Sequence, residues 1–287
     1  MEQYLILFTT REQAIAIWIA VFIIWAVFQK NIRTSILGLF GAFLQKQIII
    51  AFTAMFLYVA LAVYLFSQFQ LWEAALLKET IFWLFGTALV LFMTLNKASE
   101  DQHYFRKIVS DNLKLVLVLI FIINFYTFHL LIELVLVPLI FIIVMMNAVA
   151  ELKDEYLPVK KLTDFIMAAW GIFIAVFAII SALGDYQNLL TADNLRTFLL
   201  PLFLTLAFLP FLYSFAVFMA YENIFVRLNI SVGKRDENLA RKAKRKIFKV
   251  FGANLGRLNK FSKENIGKLW GLKSETELIE IIEKFEN

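Results

Sequence analysis

The chain has 287 residues, of which 61% are hydrophobic and 18% are charged, and it contains 31 phenylalanines and no cysteine. Soluble domains are about 45–50% apolar and about 25% charged, so this composition exceeds what one soluble core can hold. It also excludes intrinsically disordered chains, which are poor in aromatic residues, and disulfide scaffolds, which need cysteine. We therefore expect an all-α fold, that of a polytopic helical membrane protein.

Six apolar stretches are candidates for membrane-spanning helices. They cover residues 13–29, 48–66, 80–96, 115–150, 165–183 and 197–221. A helix that crosses a hydrocarbon core of about 30 Å needs about 20 apolar residues. The fourth stretch would form a helix of about 54 Å at about 1.5 Å per residue, which is too long for one crossing. We predict a break near residues 126–129 and, with it, seven transmembrane helices in total.

Lysine and arginine alternate between the two sides of this arrangement. The predicted loops 30–47, 97–114 and 151–164 contain three, four and three basic residues, and the other loops contain at most one each. Because basic loops stay on the cytoplasmic side, the pattern places the N-terminus outside and the C-terminus in the cytoplasm. It also requires that residues 115–150 cross twice. Frequent use of Phe, Ile, Lys and Asn suggests a bacterial source, so we expect the inner membrane.

Two local patterns indicate further helices. Thr9 and Glu12 are spaced as in a capping box, which favours the start of a helix at this point. Residues 34–45 carry apolar side chains at helical spacing. They predict an amphipathic helix that lies in the cytoplasmic interface before the second span.

The basic charge of the chain is concentrated near its C-terminus. Residues 227–287 contain 15 basic and 8 acidic residues, a net charge of +7, whereas residues 1–226 have a net charge of −2. We predict a transmembrane domain over residues 1–227 and a basic, helical cytoplasmic tail over residues 228–287.

From Asp236 onwards the tail predicts a basic amphipathic helix that ends near Gly252. Its basic side chains are Arg241, Lys242, Lys244, Arg245, Lys246 and Lys249. Such a helix fits the anionic lipid headgroups of the cytoplasmic leaflet or a partner protein, and it also fits a plain topology signal with a solvated basic face. Nucleic acid is not expected as a partner, because no recognition motif accompanies these residues.

The last helix is predicted to begin after Ser274, where a second capping-box pattern occurs. Its apolar stripe consists of Leu278, Ile281, Ile282 and Phe285. A helix this short is unstable alone in water, so the stripe needs a partner surface. That surface is either the basic helix of the same tail or another protein, including a second copy of the chain.

Polar side chains in apolar stretches are the candidates for an intramembrane site, because their burial in lipid is costly. Asn124, His129 and Glu133 lie around the predicted break, and Glu222 lies at the cytoplasmic end of the last span. Such groups can relay protons or bind a cation. The alternative is that they are solvated among the headgroups and only end helices.

Catalytic patterns are missing from the sequence. It has two histidines, which form no metal-binding pair, and none of the glycine-rich nucleotide or nucleophile motifs. We therefore predict no catalytic residue, no cofactor, no metal site and a protein that is not an enzyme.

Three functions follow as hypotheses. The first is a membrane protein that acts as a homo-oligomer or with a cytoplasmic partner protein, for example as an effector of membrane permeability in stress or defence. The second is an ion channel or small-substrate transporter that uses His129, Glu133 and Glu222. The third is a lipid-binding or lipid-modifying membrane enzyme.

Overall fold

The computed structural model describes residues 8–101, 103–112, 116–189, 191–233, 236–269 and 274–286, and every regular element within them is a helix. The α-helices are α1 Thr10–Phe28, α2 Lys30–Phe43, α3 Lys46–Gln68, α4 Leu77–Trp83, α5 Leu89–Met93, α6 Tyr104–Asn112, α7 Val116–Phe125, α8 Leu130–Ala150, α9 Leu157–Gly184, α10 Tyr186–Leu189, α11 Ala192–Leu228, α12 Glu237–Phe251, α13 Leu255–Leu269 and α14 Glu275–Glu286. Short π-helical segments join α4 to α5 and follow α11. The expected all-α fold is confirmed.

Six helical segments are long and apolar enough to cross a membrane. They are Thr10–Phe28, Lys46–Gln68, Ala74–Met93, Leu130–Ala150, Asp154–Gly184 and Ala192–Leu228. Large apolar side chains on them point outward, for example Phe165 at 71% and Leu131 at 68% exposed. Lipid rather than water suits such a surface, because soluble monomers rarely expose large contiguous apolar patches. By length and hydropathy the chain is a multi-pass membrane protein, as expected.

The predicted break in the fourth apolar stretch is present. Helix α7 ends at Phe125 and α8 begins at Leu130. The described part of α7 has ten residues, which span only about 15 Å. Six described segments therefore reach the length of a span, and the count of seven stays a prediction.

Two helices predicted from local sequence patterns are present in the structure. The Thr9 hydroxyl accepts from Glu12 N, and a Glu12 carboxylate oxygen accepts from Thr9 N, so the predicted capping box is formed. The amphipathic helix predicted over residues 34–45 is α2, which begins earlier, at Lys30, directly after the end of α1.

The chain divides into two compact units. Unit 1 comprises Met1–Ala54 and Lys114–Phe198, and unit 2 comprises Met55–Leu113 and Leu199–Asn287. The tail helices belong to unit 2 together with most of α11, and the predicted boundary between residues 227 and 228 stays a prediction.

In unit 1, helix α8 packs against both α1 and α9. Small residues allow the close approach of helices, and Ala14 and Ala178 are fully buried here. The rings of Phe128 and Phe177 stack at 4.5 Å. At the other end of α8, Asn147 Nδ2 donates to Thr163 Oγ1 at 2.9 Å, as expected for an amide that joins neighbouring helices.

In unit 2, helix α11 supplies the core with a buried side chain at every fourth position. These are Leu200, Leu204, Phe208, Leu212, Ala216, Ala220, Ile224 and Leu228. Two prolines within α11 each remove a helical hydrogen bond and open the helix locally. Side chains form hydrogen bonds with α11 near these prolines: Tyr58 donates to Ala207 O at 2.9 Å, and Trp83 Nε1 donates to Thr205 Oγ1 at 2.9 Å. The Thr205 hydroxyl in turn donates to Pro201 O at 2.7 Å.

Candidate functional site

Glu133 lies in the first turn of α8 and is the centre of a polar cluster in unit 1. Its carboxylate is buried, with 3% of the side chain exposed, and it is paired with Arg11 at the start of α1. Arg11 Nε donates to both carboxylate oxygens at 3.2 and 3.3 Å, and Arg11 Nη2 donates to Oε1 at 3.1 Å. Several N–H groups therefore converge on one carboxylate, which is the strongest type of hydrogen-bonded ion pair.

The same cluster satisfies the backbone of the break between α7 and α8. Phe128 N donates to Glu133 Oε1 at 3.1 Å, and Arg11 Nη1 donates to Ile123 O at 3.2 Å. Thr10 Oγ1 donates to Phe128 O at 2.6 Å and lies 2.7 Å from Thr127 Oγ1. Helix ends leave N–H and C=O groups without helical partners, and these contacts supply partners where a bilayer would not. We call Thr10, Arg11, Thr127, Phe128 and Glu133 the helix-break cluster.

The other predicted residues near the break have different surroundings. Asn124 and His129 are exposed. His129 is the N-cap of α8, and its Nδ1 accepts from Leu131 N at 3.4 Å. The structure therefore pairs Glu133 with Arg11 and Phe128 N, while the His129 ring caps the helix.

Sequence reasoning missed Arg11, which is separated from Glu133 by 122 positions. The available signal was charge, because Arg11 and Glu133 have opposite charges and each lies at the predicted outer end of an apolar helix.

Glu222 lies in unit 2, on the exposed surface of α11 near its C-terminal end. Among the residues that the structure describes, no group of three or more His, Cys, Asp or Glu side chains is arranged to hold a metal ion.

The tail forms three helices in unit 2, and we call α12, α13 and α14 the tail module. Asp236 caps α12 by accepting from Leu239 N at 2.9 Å, and Gly252 ends it with a φ of +51°. That angle lies in the region open mainly to glycine. The inner face of α12 is buried against the protein through Ala240, Ala243, Ile247 and Phe251.

Two tyrosines of α11 hold the turn between α12 and α13. Tyr221 OH donates to Gly252 O at 2.6 Å, and Tyr213 OH donates to Ala253 O at 2.8 Å. The Tyr221 side chain is buried, and its ring lies 5.3 Å from that of Phe248. The module is therefore anchored to the last long helix through backbone carbonyls at a fixed turn.

Part of the predicted stripe on the last helix lies against the module itself. Ile281 is 9% exposed, and the Phe285 ring lies 5.7 Å from Phe251 and 5.4 Å from Phe261. The side chains of Leu278 and Ile282 lie outside the described residues. The described part of the stripe thus has a partner within the chain, and binding of another protein there stays a prediction.

The outer side of α12 is basic. Arg241, Lys242, Arg245 and Lys249 are exposed, while Lys244 and Lys246 are half-buried. Arg241 pairs with Glu237 at 2.9 Å, and Lys244 Nζ donates to Asn229 Oδ1 at 2.6 Å. For Arg245, Lys246 and Lys249, no ion-pair partner occurs in the part of the chain that the structure describes. We call the six basic residues the basic face.

Comparisons of the chain with protein-family models, with curated proteins and with solved structures find no match.

Proposed function

We propose that the chain is a bacterial inner-membrane protein that works by assembly, with the basic face of α12 as the surface that receives an acidic partner. The observation that carries this proposal is the folded tail module. Its inner face is buried and its turn is fixed by Tyr213 and Tyr221, so the basic side chains are presented by a rigid support. Rigid presentation lowers the ordering cost of binding, and complementary charge accelerates encounter.

The proposed topology has seven crossings, with the N-terminus outside and the C-terminus in the cytoplasm. Contacts in unit 1 support it: the Thr10 end of α1 meets Thr127 in the break, and Asp185 after α9 is close enough to act on Tyr126. The start of α1, the break between α7 and α8, and the end of α9 are all predicted to lie outside. Contacts in unit 2 support it as well, because Asn259 of the tail donates to Ala98 O at 3.3 Å, and both are predicted to be cytoplasmic.

The described part of α7 has ten residues. Its C-terminal end at the break lies beside the N-terminal end of α1. A chain that reaches this end from the basic loop 97–114 has to cross the membrane in between. We therefore keep seven crossings, with α7 as part of the fourth.

The partner that we propose is a protein with an acidic surface. A second copy of the chain offers one, since Glu280 and Glu283 of α14 are exposed. Anionic headgroups of the cytoplasmic leaflet also suit the basic face, at about 1 kcal/mol per basic residue near the surface. Since four apolar side chains of α12 are buried in unit 2 and Phe248 is exposed, such lipid contact is mainly electrostatic, with one aromatic side chain beside the basic residues.

An ion pathway through the helix-break cluster is less well supported. The Glu133 carboxylate is already engaged by Arg11 and by Phe128 N. A buried carboxylate with these partners favours a structural role over a site that repeatedly binds and releases an ion. We therefore propose that the protein assembles in the membrane and thereby alters membrane permeability.

Charge reversal on the basic face tests the proposal. The double variant Arg245→Glu/Lys249→Glu is compared with Arg106→Glu/Lys161→Glu, which changes the net charge equally at exposed positions elsewhere. Crosslinking in membranes, followed by sizing against the 33.3 kDa chain, measures assembly. We expect a larger species for the natural chain and the control, and its loss in the basic-face variant. Salt at about 1 M, which shortens the Debye length to about 3 Å, should also weaken it.

Two results contradict the proposal. One is a natural chain that remains a monomer without any crosslinked partner in its membrane. The other is a complex that survives Arg245→Glu/Lys249→Glu unchanged, because the basic face would then not be the contact surface.

A further inference from the structure

A cleft in unit 2 lies between the linker after α5 and helix α13. Its volume is about 590 Å³, within the range of about 300–1,000 Å³ that is usual for small-molecule sites. Most of its surface is apolar, and the rings of Phe105 and Tyr213 form part of the wall, 5.4 Å apart. The charged side chains around it are Glu100, Asp101, Arg257, Lys260, Lys263 and Glu264. These are three acids and three bases, so the lining has no net charge.

A second cavity of about 180 Å³ adjoins the cleft and shares four of its lining residues, Ser99, Leu255, Asn259 and Lys263. Its remaining wall combines apolar side chains with amides and a hydroxyl, and consists of Leu95, Asn96, Ala216, Met219, Ala220, Asn223 and Ser262. The candidate span Ala74–Met93 ends two positions before Leu95. The two cavities thus lie near the end of that candidate span that is predicted to be cytoplasmic, where we expect lipid headgroups.

Three of the charged side chains around the cleft already contact other groups of the protein. Arg257 lies over the Phe251 ring and Lys260 over the Phe285 ring, each at 5.7 Å. Asp101 accepts from His103 N at 2.8 Å, and this bond, together with Lys107, holds the pKa of Asp101 below its usual value. Asp101 is therefore an ionised cap of its own loop.

Glu100, Lys263 and Glu264 are the three charges that remain available to a ligand. All three are exposed, and within the described chain none has an ion-pair partner or a side-chain hydrogen bond. Glu100 lies on the linker wall, whereas Lys263 and Glu264 lie on the α13 wall, and of these three only Lys263 borders both cavities. The cleft therefore has an available carboxylate on the linker wall and an available ammonium on the α13 wall, next to a second carboxylate.

We propose that this cleft binds a zwitterionic group without net charge that carries both a phosphodiester and a primary ammonium, as in the headgroup of phosphatidylethanolamine or in soluble glycerophosphoethanolamine. Lys263 receives the phosphate and Glu100 receives the ammonium. Charge-assisted hydrogen bonds are the strong ones, and a lining without net charge suits a ligand without net charge better than it suits a simple anion. The neighbouring apolar wall at Leu95 and Met219 accepts the apolar part of the molecule. The site is separate from the basic face and does not depend on assembly.

The ligand has two chemical sources, a membrane phospholipid and a soluble phosphoamine, and the test has an arm for each. Native mass spectrometry of the full chain in detergent measures retention of phosphatidylethanolamine and of phosphatidylglycerol. Titration calorimetry measures binding of soluble glycerophosphoethanolamine. We expect Lys263→Gln to lower the affinity for the zwitterionic ligand about tenfold, as for the loss of one charge-assisted hydrogen bond. Glu100→Gln should lower the affinity for phosphatidylethanolamine by a similar factor and leave the affinity for phosphatidylglycerol unchanged.

The matched control is Lys161→Gln, which removes one positive charge at an exposed position of unit 1 and should leave binding unchanged. Because Lys263 and Glu100 are exposed, their variants should unfold at the temperature of the natural chain. Binding in either arm that is weakened in both cleft variants supports the proposal and identifies the source. The proposal is overturned if neither ligand binds, if Lys161→Gln weakens binding as much as Lys263→Gln, or if Glu100→Gln leaves the binding of phosphatidylethanolamine unchanged.

Discussion

The two units place polar groups in apolar surroundings by different means. Unit 1 uses an ion pair, in which the Glu133 carboxylate receives three N–H contacts from Arg11 and one from Phe128. Unit 2 uses neutral donors, with Tyr58 and Tyr221 bound to backbone carbonyls. Removing one member of a buried ion pair leaves a charge without a partner, whereas a neutral bond leaves at most an unsatisfied dipole. The units should therefore differ in how much a single polar substitution costs.

The largest effect is expected in unit 1. Glu133→Gln leaves the Arg11 guanidinium without its counter-charge and weakens the bonds across the break. Loss of one partner of a buried pair costs about 3–5 kcal/mol, and because Arg11 is partly exposed we expect about 2–4 kcal/mol. Thermal unfolding of the purified protein in detergent measures this loss.

Glu222→Gln is the matched control for that substitution, because Glu222 is exposed and the chemical change is the same. It should shift the unfolding temperature little. The double variant Arg11→Met/Glu133→Leu should recover most of the stability, because it removes both charges. A Glu133→Gln protein as stable as Glu222→Gln would show that the ion pair does not hold the break.

The second-largest loss of stability is expected at Gly252, in the turn between α12 and α13. Gly252→Ala places a Cβ on a residue with a φ of +51°, which should cost about 1–3 kcal/mol. We expect faster hydrogen exchange across α12 and α13. Gly256→Ala lies in helix α13, where the new Cβ would meet only Asn254 Oδ1 at an ordinary 3.6 Å, so it should be neutral or stabilising. Equal rates of hydrogen exchange in the two variants would show that the conformation of Gly252 does not stabilise the tail module.

The smallest effect is expected for one neutral bond of unit 2. Tyr221→Phe keeps the ring against Phe248 and removes only the hydroxyl bound to Gly252 O. The expected loss is about 0.5–1.5 kcal/mol, seen as increased trypsin cleavage within α12. Tyr64→Phe, at an exposed tyrosine of α3, is the control and should leave cleavage unchanged. If Tyr221→Phe destabilised the protein more than Glu133→Gln, the expectation that polar substitutions cost more in unit 1 than in unit 2 would be wrong.

Local features of the fold were predictable because their causes lie within a few residues. The capping box at Thr9, the break before Leu130 and the ends of α12 at Asp236 and Gly252 follow from short-range patterns. Hydropathy over long windows likewise indicated the candidate spans. These signals need no knowledge of which helices become neighbours.

The polar contacts between elements were not predictable in this way. Arg11 meets Glu133 across 122 positions, and Asn259 meets Ala98 O across 161. Such pairs depend on helix packing, which hydropathy does not encode. Glu133 was grouped with Asn124 and His129 because these three residues are close together in the sequence. The cleft around Lys263 escaped notice for the same reason, since it is formed by two segments far apart in the chain.

The most direct test of the account is the accessibility of the basic face from the cytoplasm. The chain has no cysteine, so single cysteines are clean reporters. An impermeant thiol reagent should label Gln187→Cys in intact cells and Arg245→Cys only in inverted vesicles. Labelling of Arg245→Cys from outside intact cells would contradict the topology. Absence of labelling from either side, with the protein present, would contradict an exposed docking surface.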